Sequence, residues 1–382
     1  MTTTTEPWWV RAISGGSGAQ LIFDQSEVYK TSQGDVKKLL AEGRWLRWVG
    51  TQRRVPELRQ HFPAVHALPS AARPVLVLER VGGIAARTAV IASGDPRVLP
   101  LAMRAVAVAF DRLPALGTRR PGWATGSWCA DHLRRSLKHA ASTHRWVADA
   151  FVTRGVVLAD AMFPNPLRDA GHAVVGLLGA FRPPMTCVLH GDLHLGNIMV
   201  DLDRDHFHLL DPRGGWDGNF TFDPAYDVAK LLHEPHYVAV RASILRLELT
   251  TEADAVILRL ASGDRPSAAS LAPEPLRRLA HTSRALATAA CRNLGNDDPL
   301  VAARATLLTG VLLLSILRLP HTVDYQVQTL FGHGITWLLA GVHALSHGYG
   351  LGRCQRLWDD LLAQVCPDGW AATAVGISLD LS

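Results

Sequence analysis

Lysine is scarce in this chain. Of its 39 basic residues only five are lysine; the rest are arginine. Nowhere do five or six basic residues run together, so nucleic-acid binding is not the first expectation, despite a net charge of +5 and a pI near 9.1. The arginine excess has two readings: a codon bias that also favours Ala, Gly and Pro, and a pocket lined for anionic groups. Cysteine is sparse as well. Cys129, Cys187, Cys291, Cys354 and Cys366 are scattered, odd in number and form no C-x-x-C, which excludes an evident zinc site or disulfide framework. The N-terminal MTTTTEPWWVRAISGG has no apolar core of signal-peptide length. The longest apolar run, LLTGVLLLSIL near 307–317, is too short to span a bilayer and reads as a buried helix. No internal repeat is visible. A reduced, cytoplasmic compartment without membrane attachment is the expectation.

What is present is a folded globular composition, 48% hydrophobic and 19% charged. At 382 residues the chain has room for two sub-domains with their own cores. Its chemistry concentrates between Val188 and Lys230, VLHGDLHLGNIMVDLDRDHFHLLDPRGGWDGNFTFDPAYDVAK. An apolar stretch ends in His190-Gly191-Asp192, and Asn197 follows five residues after Asp192. A second apolar strand, HFHLL, delivers Asp211 at its end. Two carboxylates and an amide at strand ends, with a tight loop between, are few, hard oxygen donors. A divalent cation that also holds phosphate oxygens needs such a set.

The HGDLHLGN stretch, followed by a strand and LLDPRG, resembles the catalytic and metal-binding loops of the aminoglycoside phosphotransferase and choline kinase-like superfamily. These are small-molecule kinases with a protein-kinase-like fold. The resemblance implies an α+β, bilobal architecture, with a small N-lobe of antiparallel sheet and one helix and a larger, mainly helical C-lobe. It implies Asp192 as the base or orienter of an acceptor hydroxyl, and Asn197 and Asp211 as Mg²⁺ ligands. It implies His190 as a structural residue that hydrogen-bonds the loop backbone. His194 lies near the expected γ-phosphate and is a catalytic candidate, equally a bystander. Asp227 is implied to brace the catalytic loop from the following helix. Gly191 replaces the Arg of the protein-kinase H-R-D, and only sixteen residues separate Asp211 from Asp227, with no A-P-E. A peptide-docking activation segment therefore has little room.

Upstream, Gly15, Gly16, Ser17 and Gly18 form a glycine-rich turn whose backbone N–H groups could face phosphate, although most such turns are ordinary hairpins. Lys30 follows at the end of VYK, where the kinase pattern has a lysine for the α- and β-phosphates. Val36, Leu39, Leu40, Leu46 and Val49 have helical spacing, and Glu42 on that helix is the implied partner of Lys30. Its alternative is a solvated helix face. The strand PVLVLE ends at Glu79, and with Val81 it resembles the hinge whose backbone meets an adenine edge. The expected boundary puts the nucleotide-binding N-lobe at 1–83 and the catalytic, acceptor-binding C-lobe at 84–382. Arg213, in place of the commoner residue after the metal Asp-x, is a candidate for binding an anionic acceptor or for a structural ion pair. Asp217 is a further acceptor-binding candidate. Trp123 and Trp128 are stacking surfaces for a sugar ring or core aromatics. After Lys230, RASILRLEL, LRRLAHTSRALATAACRNL, ARATLLTGVLLLSILRL and VQTLFGHGITWLLAGVHALSHG all show helical spacing.

The implied activity is an ATP- or GTP-dependent transfer of phosphoryl to a hydroxyl of a small molecule, with Mg²⁺ as cofactor. A neutral or anionic sugar-like or natural-product acceptor suits the basic charge better than a polycation. An antibiotic-inactivating phosphotransferase is the alternative, and a non-catalytic nucleotide-binding module stands further off. No oligomeric state is readable.

Overall fold

The computed structural model describes residues 13–14, 19–32, 36–70, 74–117, 125–158, 161–180, 183–213, 220–242, 247–252, 254–260, 273–294, 298–317 and 324–366. The chain opens with β1 (Ile13–Ser14), β2 (Ala19–Phe23) and β3 (Glu27–Ser32). Then come α1 (Val36–Gly50), β4 (Val65–Ala67) and β5 (Val75–Glu79). These strands form one antiparallel sheet in the order β1-β2-β3-β5-β4. The expected helix is α1, and it buries Leu39, Glu42, Trp45, Leu46 and Val49 along one side. Gly43 lets it close on the sheet. A Cβ there would sit 2.5 Å from Leu68 Cδ2 and 2.8 Å from Leu76 Cδ1.

β6 (Ile84–Ala85), α2 (Ala86–Ala92) and α3 (Val98–Ala107) follow. Helix α3 runs straight on into two irregular turns. It widens into a π turn at Val108–Arg112 and tightens into a 3-10 turn at Pro114–Leu116, as Pro114 has no N–H to continue the ladder. Next are α4 (Thr125–Thr143), α5 (Arg145–Ala150), β7 (Gly155–Leu158), β8 (Ala161–Pro164) and α6 (Arg168–Ala180). The catalytic stretch holds β9 (Cys187–Val188), β10 (Ile198–Asp201), β11 (His206–Leu209) and β12 (Thr221–Phe222). The remainder is α7 (Ala225–Arg241), β13 (Leu247–Glu252), β14 (Ala255–Leu260), α8 (Pro273–Leu294), α9 (Val301–Ile316), α10 (Asp324–Ser346) and α11 (Leu351–Ala363).

The fold is thus α+β, an antiparallel N-terminal sheet with one helix followed by a mainly helical remainder. Residues group into two compact units. One comprises Met1–Thr88, Pro96–Thr118 and Cys187–Phe222; the other comprises Ala89–Asp95, Arg119–Thr186 and Asp223–Ser382. By compactness the segment with Asp192, Asn197 and Asp211 groups with the N-terminal sheet. In this first unit β6, β10 and β11 form a second antiparallel sheet in the order β11-β10-β6, on which α3 packs.

In the second unit α9 is buried on all sides between α7, α10, α4 and α11. No helix among the described residues is long and apolar enough to cross a membrane. The helix expected from RASILRLEL does not extend over its described C-terminal end. Its last three residues begin β13, which pairs with β14, and β14 pairs in parallel with β7 to build a sheet in the order β13-β14-β7-β8. Ala255, Val256, Ile257 and Leu258 are buried, so β14 is an inner strand. β13 takes its partner from the neighbouring β14, and the sheet that β14 completes with β7 overrides the short-range spacing of the leucines.

This unit holds a buried ion network. Arg304 on α9 donates through Nε to Asp223 Oδ2 (3.0 Å), and its guanidinium also bonds both oxygens of Asp298. Asp223 Oδ1 accepts from the Ala225 N–H at 2.9 Å and so caps α7. Burial works against the charge on Arg304, but the two carboxylates outweigh it and raise its pKa.

Candidate active site

Four elements of the first unit converge on Lys30. The β3 backbone, paired with β2 and β5, carries Lys30 as the one buried residue of its strand. Its Nζ donates to Glu42 Oε2 (2.8 Å) and Oε1 (3.0 Å) on α1, and to Asp211 Oδ1 (2.7 Å) just beyond β11. Lys30 is 6% exposed and Glu42 1%. Burial opposes the charge on Lys30, yet Asp211 and Glu42 together raise its pKa above the ordinary value. For Glu42 burial is the largest influence and pushes the carboxyl up, with the negative charge of Asp211 adding to it against the pull of Lys30. For Asp211 burial acts upward too, but Lys30 outweighs it and holds the carboxylate below its usual range.

The catalytic loop starts where β9 ends. Gly191 sits at φ +79°, in the left-handed region that a side chain disfavours, and this turns the chain from His190 to Asp192. His190 is fully buried against the rings of Trp45 and Phe62. Its Nδ1 accepts from the Asp192 N–H (3.3 Å), and its carbonyl accepts from the Arg213 N–H (2.9 Å). Burial lowers its pKa to about 4, so it is neutral at pH 7. The Asp192 carbonyl accepts from the His194 N–H (3.0 Å) and from Asn197 Nδ2 (2.9 Å). His194 precedes a 3-10 turn, Leu195–Asn197, and its Nδ1 accepts from the Gly196 N–H (3.1 Å). That bond leaves the neutral ring's proton on Nε2.

The second loop is tied to the first. The Leu210 N–H donates to the Asn197 carbonyl at 2.8 Å. Asp211 then takes φ +56°, an uncommon conformation for a residue with a side chain and one that Asp tolerates better than most. Pro212 is buried and Arg213 half-buried.

The structure therefore brings together Lys30, Glu42 and Asp211 in one ion cluster, and His190, Asp192, His194 and Asn197 in one hydrogen-bonded loop. Among the described residues nothing hydrogen-bonds the Asn197 amide oxygen or Asp211 Oδ2. Those are two hard donors with their nitrogen and lysine partners already arranged, a set that fits Mg²⁺. Glu79 ends β5, with its N–H given to Ala64 O (2.8 Å) and its carboxylate accepting from the Ala64 N–H (3.0 Å). The Val81 backbone makes no hydrogen bond among the described residues. Asp227 is buried in the first turn of α7, in the other compact unit. Trp128 stacks on His132 with ring centroids 4.6 Å apart. Gly15, Gly16, Ser17, Gly18, Asp217 and Trp123 lie outside the described residues.

One residue at this site was not anticipated. Arg87 reaches the catalytic loop at Gly196. A Cβ on Gly196 would lie 3.0 Å from Arg87 Nη1 and 3.0 Å from His194 Nδ1. Arg87 stands in no motif, and only the pairing of β6 with β10 brings it there.

The arrangement is thus a strand lysine shared between a helix glutamate and Asp211, beside a hydrogen-bonded loop that carries Asp192 and Asn197. The family model of the phosphotransferase enzyme family (APH) matches residues 27–271, and the chain belongs to that family. It is a small-molecule kinase. Among solved structures it is similar to a glucosamine kinase in complex with glucosamine, ADP and inorganic phosphate. The identity is 16%, the match covers 96% of this chain and 78% of that one, and the TM-score is 0.44. A second crystal form of glucosamine kinase matches at 14% identity, covering 95% and 79%, with a TM-score of 0.44. A choline/ethanolamine kinase family protein from Mesorhizobium loti matches at 14% identity, covering 98% and 93%, with a TM-score of 0.40. No curated protein matches the chain.

Proposed function

We propose that this phosphotransferase moves the γ-phosphoryl group of ATP or GTP to a hydroxyl of a sugar-like or natural-product small molecule. The carrying observation is the ion cluster in which one lysine holds both a helix glutamate and Asp211 beside the Asp192–Asn197 loop. Lys30, steadied by Glu42, contacts the nucleotide phosphates, and the backbone at Glu79 and Val81 meets the base. By the sequence pattern, the Gly15–Gly18 backbone would help Lys30 hold the nucleotide end. Asn197 and Asp211 would hold Mg²⁺, which would offset negative charge on the phosphates as it develops. Asp192 orients the acceptor hydroxyl and takes its proton. The bond from the γ-phosphorus to the bridging oxygen breaks, the acceptor oxygen forms the new one, and the nucleoside diphosphate leaves. His190, neutral and buried, keeps the loop in place. His194 Nε2–H is a donor for the transferred group. Asp227 supports the loop, and Arg213 and Asp217 serve the acceptor. By role, 1–83 forms the nucleotide lobe and 84–382 the acceptor lobe, in a cytoplasmic enzyme.

The test is nucleotide consumption with product mass. Protein with Mg²⁺ and ATP or GTP is offered sugars, sugar phosphates, cyclitols, nucleosides and antibiotics, with Asp192→Asn as control. A gain of one phosphoryl group on one compound, lost in the variant, supports the reading. The absence of any Mg²⁺-nucleotide binding would sink it.

A further inference from the structure

Three consecutive residues, Gln60, His61 and Phe62, reach both the catalytic loop and the strand that delivers Asp211. They end the 3-10 turn Pro56–His61, which is anchored by the buried Leu58. Phe62 meets Trp45 of α1 edge to face and stacks toward His190, with ring centroids 5.1 and 6.4 Å apart. Gln60 and His61 are cross-stitched to β11. His61 Nδ1 lies 3.4 Å from the Phe207 carbonyl, and His206 Nε2 lies 3.0 Å from the Gln60 carbonyl. The His61 ring also lies flat on the Phe207 ring, 4.3 Å away and 2° from parallel. Beyond Phe207 the same strand runs on to Asp211, whose carboxylate meets Lys30.

A carbonyl only accepts, so these contacts put a proton on His61 Nδ1 and another on His206 Nε2. His61 Nε2 keeps its lone pair and lies 3.3 Å from Gln60 Nε2, which can donate to it. The neutral ring thus has both nitrogens used, and a second proton adds charge where positive groups already gather. The His206 ring is 5.3 Å away and nearly parallel, with His208 4.7 Å behind it. His208 Nδ1 is buried with no hydrogen-bond partner, so a proton there finds no acceptor. From α3, Arg104 acts on His61 while bonded to Asp205. The opposing carboxylates are Glu57 on the same turn, 3.9 Å from Arg112, and Glu79 and Asp201, which act on His208. Burial outweighs them: it lowers the pKa of His61 and takes that of His208 to about 4. We propose, on the phosphotransfer reading of this site, that the neutral His61 ring is a positioning residue that clamps β11 and so holds Asp211 for its cation, and that acid releases the clamp.

The full chain is titrated with the Mg²⁺ complex of a non-hydrolysable ATP analogue, followed by calorimetry at pH 8 and pH 5.5. Two variants separate the ring from its proton. His61→Phe keeps a ring to stack on Phe207 but has no N–H for the carbonyl. His61→Asn keeps a donor near the Nδ1 position but cannot titrate. At pH 8 the affinity is expected to fall about 3-fold or more in His61→Phe and less in His61→Asn. Between pH 8 and pH 5.5 the wild type should lose about 3-fold more affinity than His61→Asn. Protonation of the analogue itself is common to both proteins and cancels in that comparison. Equal affinity in His61→Phe and wild type at pH 8 overturns the positioning role, even where the melting temperature drops. A parallel loss in wild type and His61→Asn overturns the acid release. The pH comparison needs only His61→Asn, so it holds even where His61→Phe does not fold. Wild-type protein that does not bind the Mg²⁺ complex at pH 8 fails at the phosphotransfer reading itself and takes His61 with it.

Discussion

The Leu210 N–H donates to the Asn197 carbonyl at 2.8 Å, so the two residues proposed to hold a cation are joined through one backbone hydrogen bond. Asn197 turns its amide nitrogen inward to the Asp192 carbonyl, and Asp211 gives one oxygen to Lys30. Each side chain therefore has a fixed half and an available half. Asp211→Asn keeps the size and the tolerance of the left-handed backbone but removes the charge. The expected outcome is a folded protein whose melting temperature barely moves and whose Mg²⁺-dependent turnover falls by about 10²-fold or more. Steady-state kinetics beside a thermal melt checks it; retained turnover would remove Asp211 from the metal site.

Lys30 and Glu42 form a buried pair, and removing one partner costs more than removing both. Lys30→Met leaves Glu42 buried beside Asp211 with no cation and should destabilise the fold by about 3–5 kcal/mol. The double variant Lys30→Met, Glu42→Leu should be more stable than that single variant, while remaining inactive. Urea denaturation of the three proteins reads the difference. Equal destabilisation in the single and double variants would mean that the pair is not coupled.

Gly191 at φ +79° is required by the turn before Asp192. Gly191→Ala should cost about 1–2 kcal/mol of stability. It should also lower kcat more than it raises the nucleotide KM, because it moves the base and not Lys30. A pure KM effect would contradict this.

Arg304 is the cation of a buried ion network with Asp223 and Asp298. Arg304→Met would strand Asp223 and Asp298 and release the cap on α7, at a cost of about 3–5 kcal/mol. Circular dichroism through a urea titration gives the value. A loss below about 1 kcal/mol, the range of exposed pairs, would show that the network is solvated.

His333 is fully buried, 4.5 Å ring to ring from His236, and burial lowers its pKa to about 3. Unfolded, it takes a proton near pH 6.5. Between those values the unfolded chain holds one more proton than the folded one, so stability falls as pH drops. The contribution is intact above about pH 6.5 and declines by about 1.4 kcal/mol per pH unit below it. Urea midpoints at pH 7.5, 5.5 and 4.5 should converge less steeply in His333→Phe than in the wild type. Identical slopes would assign the acid sensitivity elsewhere.

The site was legible where its chemistry is local. His190, Gly191, Asp192, Asn197 and Asp211 lie within one short stretch, and the helical spacing around Glu42 pointed to α1. What escaped depends on partners far along the chain. Leu247 and Leu249 looked helical because the hairpin they form with β14 is anchored by β7, far upstream in the chain. Arg87 gains its place from two residues of strand pairing, and Arg304 from aspartates at positions 223 and 298. Such residues are ordinary arginines until the chain has folded around them.

An ammonium group has three N–H bonds, and in this structure Lys30 gives them to three carboxylate oxygens. A phosphate oxygen can be received only if one of these is released. Glu42 is sealed in, whereas the Asp211 side chain is 30% exposed and has a free oxygen for a cation. A cation held by Asp211 would compete with Lys30 for that carboxylate and would leave an ammonium N–H for a phosphate oxygen. Nucleotide and cation would then enter this site as one guest, each making room for the other.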